Sequence, residues 1–212
     1  MSYQLYYYPA NASLAPHILL EEIGCEYTLV LVDRAANAHK SKAYLKLNPA
    51  GLIPALIDGD ICLSETAAIM LHLADKHPAA ALIPPLQSAD RAQCYRWLIY
   101  LTNTLQADLI HYFYPDRLGG EFATEVKRRA TARVTPMLDI LDTQLAASGG
   151  PYLLGSTYTI CDIFLFMMCR WTRDMPNPAR NREHLGRFLD MMATRPAVIR
   201  AHQQEELDLP WY

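Results

Sequence analysis

The chain has 212 residues, 51% of them hydrophobic and 19% charged, and a formal net charge of -3. That length admits one large domain or two small ones, each with a real core, and the slightly acidic balance offers no broad basic surface for nucleic acid. The five cysteines (Cys25, Cys62, Cys94, Cys161, Cys169) are odd in number, scattered and without a CxxC pair, which fits reduced thiols better than a disulfide frame or a zinc site. No apolar run approaches the roughly 20 residues of a spanning helix, and Met1-Ser2-Tyr3-Gln4 does not open a basic-then-apolar leader. A soluble cytoplasmic protein is expected.

Gln4 to Tyr8 is an aromatic and apolar run stopped by Pro9, a first strand, and Leu14 to Ile23 predicts a helix closed by Gly24. Tyr27 to Val32 is rich in β-formers and reads as a second strand. After a lysine-bearing stretch of some helical character (Asn37 to Lys46) come a strand at Ala55-Leu56-Ile57, a turn at Asp58-Gly59-Asp60, a strand at Ile61 to Leu63 and a helix from Thr66. The order βαβαββα suggests a small mixed sheet covered by helices. Pro78, Pro84 and Pro85 mark residues 79–88 as a linker, which sets a first domain at 1–78. From Ala89 onward the apolar spacing is helical, at Trp97, Leu98, Leu101 and Leu105 and again at Val134, Met137, Leu138 and Leu141. Residues 89–212 are therefore expected to form an all-α domain. Within it, Thr159-Ile160-Cys161-Asp162 ahead of Ile163-Phe164-Leu165-Phe166 is a capping box with Asp for the usual Glu, a structural signal rather than a chemical one.

The most specific segment is Asn48-Pro49-Ala50-Gly51-Leu52-Ile53-Pro54-Ala55-Leu56, followed by Ser64-Glu65-Thr66. Pro54 lacks an amide hydrogen and stands just before a strand, where a cis bond would turn the N–H and C=O of Ile53 outward. Those groups could then pair with an extended peptide as an added strand does. Glu65-Thr66 opens an apolar helix, so free amides and the positive end of a helix dipole lie beside it, a good place for a carboxylate.

In this order and at this spacing the residues resemble the glutathione transferase family, and the resemblance runs over nearly the whole chain. It implies an α/β thioredoxin-like N-terminal domain followed by an all-α C-terminal domain. It also implies that Ile53, beside Pro54, pairs with the cysteinyl part of glutathione while Glu65 and Thr66 hold its γ-glutamyl end. Glutathione would be a co-substrate with no metal, transferred to a small hydrophobic electrophile by a homodimer in detoxification.

Such enzymes act by favouring the thiolate of glutathione. Lowering a thiol pKa by two units takes about 2.7 kcal/mol, which one or two aimed donors in a dry site can supply. The loop Pro9-Ala10-Asn11-Ala12-Ser13 is the natural place for them. It is closest to the bacterial beta class, whose run reads proline, glycine, alanine, cysteine, serine, leucine; Ala12 stands at the cysteine position and Gln106 where the class has a helix histidine. Ser13 is the leading donor candidate, a hydroxyl at a helix start, ahead of the Asn11 amide and the Tyr7 phenol. A second-substrate pocket is expected from Gln106, His111, Tyr114 and Trp171. The same thiolate would serve a glutathione-dependent isomerase or lyase, and Ala12 with Gln106 would also suit a non-catalytic glutathione-binding scaffold.

Overall fold

The computed structural model describes residues 2–212. Their contacts separate into two units, one running to Ile83 and rejoined by Ala193–Trp211, the other Pro84–Met192 with Tyr212.

In the first unit, β1 (Tyr3–Tyr7) is the central spine. It pairs in parallel with β2 (Tyr27–Leu31), Tyr3 opposite Tyr27, and antiparallel with β3 (Ala55–Asp58), which pairs antiparallel with β4 (Ile61–Ser64). The order β2-β1-β3-β4 follows from the linkers: the parallel step needs a helical crossover, and the Asp58-Gly59-Asp60 turn needs none. The crossover is α1 (Leu14–Ile23), ended as expected by Gly24 at φ 71, whose N–H bonds the carbonyl of Leu20. Leu14, Ile18 and Leu19 of α1 are fully buried, as are Leu5 of β1 and Ile69, Met70 and Leu73 of α3 (Thr66–Lys76). Alternation along β1 sends Tyr6 to the other face, where it packs with Val32, Tyr44 and Ala55 beneath α2 (Lys42–Leu47). A single 3-10 turn, Ala38–Lys40, precedes α2.

The helix α9 (Pro196–Gln204) belongs to this unit, so an all-α domain reaching 212 is corrected: its last stretch returns to the sheet unit. Side chains on and beside α9 are tied to α1. Arg195 meets Glu22 at 2.6 and 3.0 Å, Arg200 meets Glu21 at 2.5 Å, and Glu205 meets the buried His17 at 2.9 Å.

The second unit is helical. It runs through α4 (Ala89–Tyr100), a π-helical stretch (Leu101–Gln106), α5 (Ala107–Phe113), α6 (Ala123–Ala147), α7 (Ile160–Trp171) and α8 (Glu183–Ala193). Ile160 and every residue from Ile163 to Cys169 are buried, which makes α7 the core helix of a unit in which Leu101, Leu105, Val134 and Leu138 are fully buried too. The capping box is present. Asp162 Oδ2 accepts from the amide and hydroxyl of Thr159 at 2.8 and 3.0 Å, while the Thr159 oxygen takes the amide of Cys161.

Candidate functional site

The segment before β3 presents an open peptide edge. The Ile53–Pro54 bond is cis, and among the described residues nothing hydrogen-bonds the N–H or C=O of Ile53. Neighbouring backbone is held firmly. The Leu52 carbonyl accepts from the Tyr44 hydroxyl at 2.7 Å and from the amide of buried Asn48 at 2.8 Å. Gly51 turns the chain at φ 61, where a Cβ would come within 2.7 Å of Lys40 Nζ and 2.9 Å of the His39 carbonyl. Lys40 donates to Ala50 at 3.2 Å, and burial first, then Lys40 and Arg34, pull the His39 imidazole below its ordinary value. Lys40 thus stands beside the edge, and its sequence signal is the close spacing of His39 and Lys40 ahead of Gly51.

Beyond β4, Glu65 adopts φ 69 and ψ 115 to enter α3, and its exposed side chain has no partner among the described residues. A non-glycine residue in this left-handed region costs free energy of order 1–3 kcal/mol and recurs at ligand clamps. Thr66 differs from a simple donor. It is buried, and its hydroxyl donates to the Ala12 carbonyl at 3.1 Å, so a ligand is offered its backbone amide and remaining lone pair rather than its proton. The same bond joins the helix start to the loop after β1.

That loop changes the ranking of the donor candidates. Ser13 already has helical backbone (φ -70, ψ -19), which folds its side chain back on Tyr8. Its hydroxyl donates to the Tyr8 carbonyl at 3.2 Å and accepts from the Tyr8 amide at 3.3 Å, and the residue is fully buried. The expectation of a free Ser13 hydroxyl is therefore corrected. Asn11 Oδ1 accepts from the Ala12 amide at 2.8 Å, which anchors the side chain and leaves Nδ2 with no partner among the described residues. The Ser13 amide is likewise unpaired. Tyr7 stands edge-on to His17, its phenol pushed above the ordinary value by burial and then by Glu205 and Glu206, so it stays a neutral donor on the His17 side. Ala12 is buried, and Ala10, at φ 60, is held by Glu205 Oε2 accepting its amide at 2.9 Å.

Of the four residues expected to line a second-substrate pocket, Phe113 rather than His111 meets Trp171, edge-on at 6.1 Å. Gln106 closes the π-helical stretch and is half-buried. His111 lies five residues on, about 140° round an α-helix, and turns instead to Asp108 and Arg133, which it approaches at 3.5 and 3.4 Å. Tyr114 caps α5 beneath the Arg117 guanidinium. Gln106 and His111 do not share a face.

Two family profiles match the chain: glutathione S-transferase, N-terminal domain, over residues 1–75, and glutathione S-transferase, C-terminal domain, over residues 124–200. Glutathione S-transferase GstA of Escherichia coli O157:H7 is 33% identical over 96% of this chain and 99% of its own. Among solved structures, a glutathione transferase homologue from Sulfitobacter with bound glutathione superimposes with a TM-score of 0.89 at 26% identity, covering 97% of this chain and 99% of its own. A sphingomonad glutathione S-transferase complexed with glutathione gives 0.85 at 33% identity, covering 97% and 100%.

Proposed function

The chain belongs to the glutathione S-transferase family, and from that we propose that it binds glutathione along the Ile53 edge, stabilises its thiolate and transfers it to a small hydrophobic electrophile. One observation carries the reading: the unpaired N–H and C=O of Ile53 stand in the same unit as the unpartnered Glu65 carboxylate and the open amides of α3. The first pair suits the cysteinyl backbone as an added strand. Glu65 suits the γ-glutamyl ammonium, and the Thr66 amide suits its carboxylate.

For the chemistry, Asn11 Nδ2 and the Ser13 amide are the donors we assign to the sulfur. Both are free, neither ionises, and their loop is tied to the helix start through Thr66 and Ala12. Hydrogen bonds to a charged group contribute about 1.5–3 kcal/mol each, enough for a shift of one to two units. Phe113 and Trp171 offer an aromatic wall for the electrophile, with Gln106 as a polar neighbour in the same unit. The working form is a cytoplasmic homodimer engaged in detoxification, a reading that rests on the family and that sedimentation of the purified protein tests.

Calorimetry with glutathione tests binding: a Kd weaker than about 10 mM, or an unchanged Kd in the Glu65→Ala, Thr66→Ala double variant, defeats it. For the donor assignment, near-ultraviolet thiolate absorbance of bound glutathione should titrate about one unit higher in Asn11→Ala, and unchanged titration removes Asn11. Turnover of an aryl halide electrophile separates a transferase from a binding scaffold.

A further inference from the structure

The helical unit holds two thiols in contact. Cys94 of α4 and Cys161, at the start of α7, place their sulfurs 3.4 Å apart, both fully buried. Cys161 donates its thiol hydrogen to the Cys94 carbonyl at 3.2 Å, and the two sulfurs lie within hydrogen-bond contact of each other. Among the described residues no other cysteine has a sulfur neighbour. The contact is also fixed from the backbone: the Thr159 hydroxyl holds the Cys161 amide, and Asp162 completes the box behind it.

We propose that Cys94 and Cys161 form a dithiol–disulfide couple, shielded in the packed unit and oxidised by glutathione disulfide when α4 and α7 part locally. Closure brings the sulfurs from 3.4 Å to about 2.05 Å. In the first step one cysteine, as thiolate, attacks a sulfur of glutathione disulfide, forming a mixed disulfide and releasing one glutathione thiolate. In the second the partner thiolate attacks the protein sulfur, forming the Cys94–Cys161 bond and expelling the second glutathione thiolate. The chain loses two electrons and two protons, and one glutathione disulfide becomes two glutathiones. Packing sets the direction of the second step, because an interior filled to crystal-like density has room for the closed bond and none for an attached tripeptide. It also explains the shielding. The hydrogen bond with Cys94, burial and the nearby Asp162 carboxylate hold the Cys161 thiol well above its ordinary value, and a thiol is a poor nucleophile. The couple is independent of the glutathione loop, where Ala12 provides no thiol.

The test incubates the full chain in glutathione/glutathione-disulfide buffers of rising disulfide fraction, at urea concentrations below unfolding, then quenches with acid, alkylates and maps peptides by mass. The expected product is a linked pair of Cys94 and Cys161 peptides, formed faster as urea rises, with Cys169 still alkylated. Oxidised protein should unfold at a higher urea midpoint than reduced protein, because the bond spans a separation of 67 residues. Cys94→Ala should lose both the link and the shift; the peptide map of the unaltered chain stands whether or not that variant folds. Alkylatable Cys94 and Cys161 at every urea concentration, separate glutathione adducts on the two, or a link to a different cysteine would each overturn the proposal.

Discussion

Replacing Glu205 with alanine should unfold the sheet unit far more readily than an ordinary surface change. Glu205 is 2% exposed; one carboxylate oxygen meets His17 Nδ1 at 2.9 Å and the other accepts the Ala10 amide at 2.9 Å. Truncation strands two donors, and His17 is itself fully buried. An orphaned buried donor costs about 1–3 kcal/mol, so two give roughly 2–6. A loss near 4 kcal/mol is a large share of the 5–15 kcal/mol that holds a typical domain together. Urea unfolding followed by tyrosine fluorescence measures it. Arg200→Ala is the control: its pair with Glu21 also ties α9 to α1 but its guanidinium is solvent-exposed, so its loss should leave the unfolding transition nearly unchanged. Glutathione affinity should fall too, because Ala10 is kept at φ 60 by that carboxylate. If Glu205→Ala unfolds within about 0.5 kcal/mol of the unaltered chain, the latch does not bear on stability and the reasoning fails.

Asp58 gives a pH signature: its buried carboxyl accepts from Lys76 at 2.5 Å and His72 at 2.7 Å, and the Lys76 bond leads in holding it below the usual carboxylate range against the opposing effect of burial. A depressed carboxyl stabilises the fold above its unfolded value, about 3.9, and loses that contribution as pH falls through its folded value. Asp58→Asn should therefore be less stable than the unaltered chain at pH 7, with the gap closing in acid; a gap constant with pH contradicts this. Thr159→Ala removes the acceptor for the Cys161 amide and should lower the stability measured by urea unfolding by about 0.5–2 kcal/mol, with glutathione affinity unchanged. Gly51→Ala places a methyl against Lys40 and the His39 carbonyl at positive φ, so glutathione affinity should drop while the helical unit's unfolding stays the same, and an unaffected Kd would show that the edge tolerates the shift.

The parts of the fold legible in the sequence were those set by neighbours along the chain. Gly24 stops α1 because only local backbone freedom is needed there, and the capping box at Thr159 joins residues three apart. The segment from Gly51 to Thr66 is similar, its open edge and helix start each being a short-range feature. Features set at long range were not legible. Glu205 reaches Ala10 across 195 residues, and no local pattern in Pro196–Gln204 distinguishes a helix of the second unit from one that returns to the first. His111 was placed with Gln106 because both are polar residues of one helical run, but the choice between faces is made by Asp108 and Arg133. Ser13 failed for a subtler reason: its residue type suits a helix cap, yet Leu14 and Ser13 have already turned helical, so the hydroxyl answers to Tyr8.

Those two kinds of legibility bear on the chemistry. The glutathione edge is built from local backbone, so it survives side-chain change in the loop that faces the sulfur. The loop itself is shaped from outside, by Glu205 at Ala10, by Thr66 at Ala12 and by its own Asn11 at the Ala12 amide. With three of its backbone groups held, the loop can present Asn11 Nδ2 and the Ser13 amide in fixed directions without a cysteine to anchor glutathione covalently. Preorganised neutral donors favour a thiolate over a thiol and leave the sulfur free to leave with an electrophile. A covalently tethered sulfur would instead need a second thiol to release it. On the proposed assignment of these donors, Ala12 favours transfer over exchange.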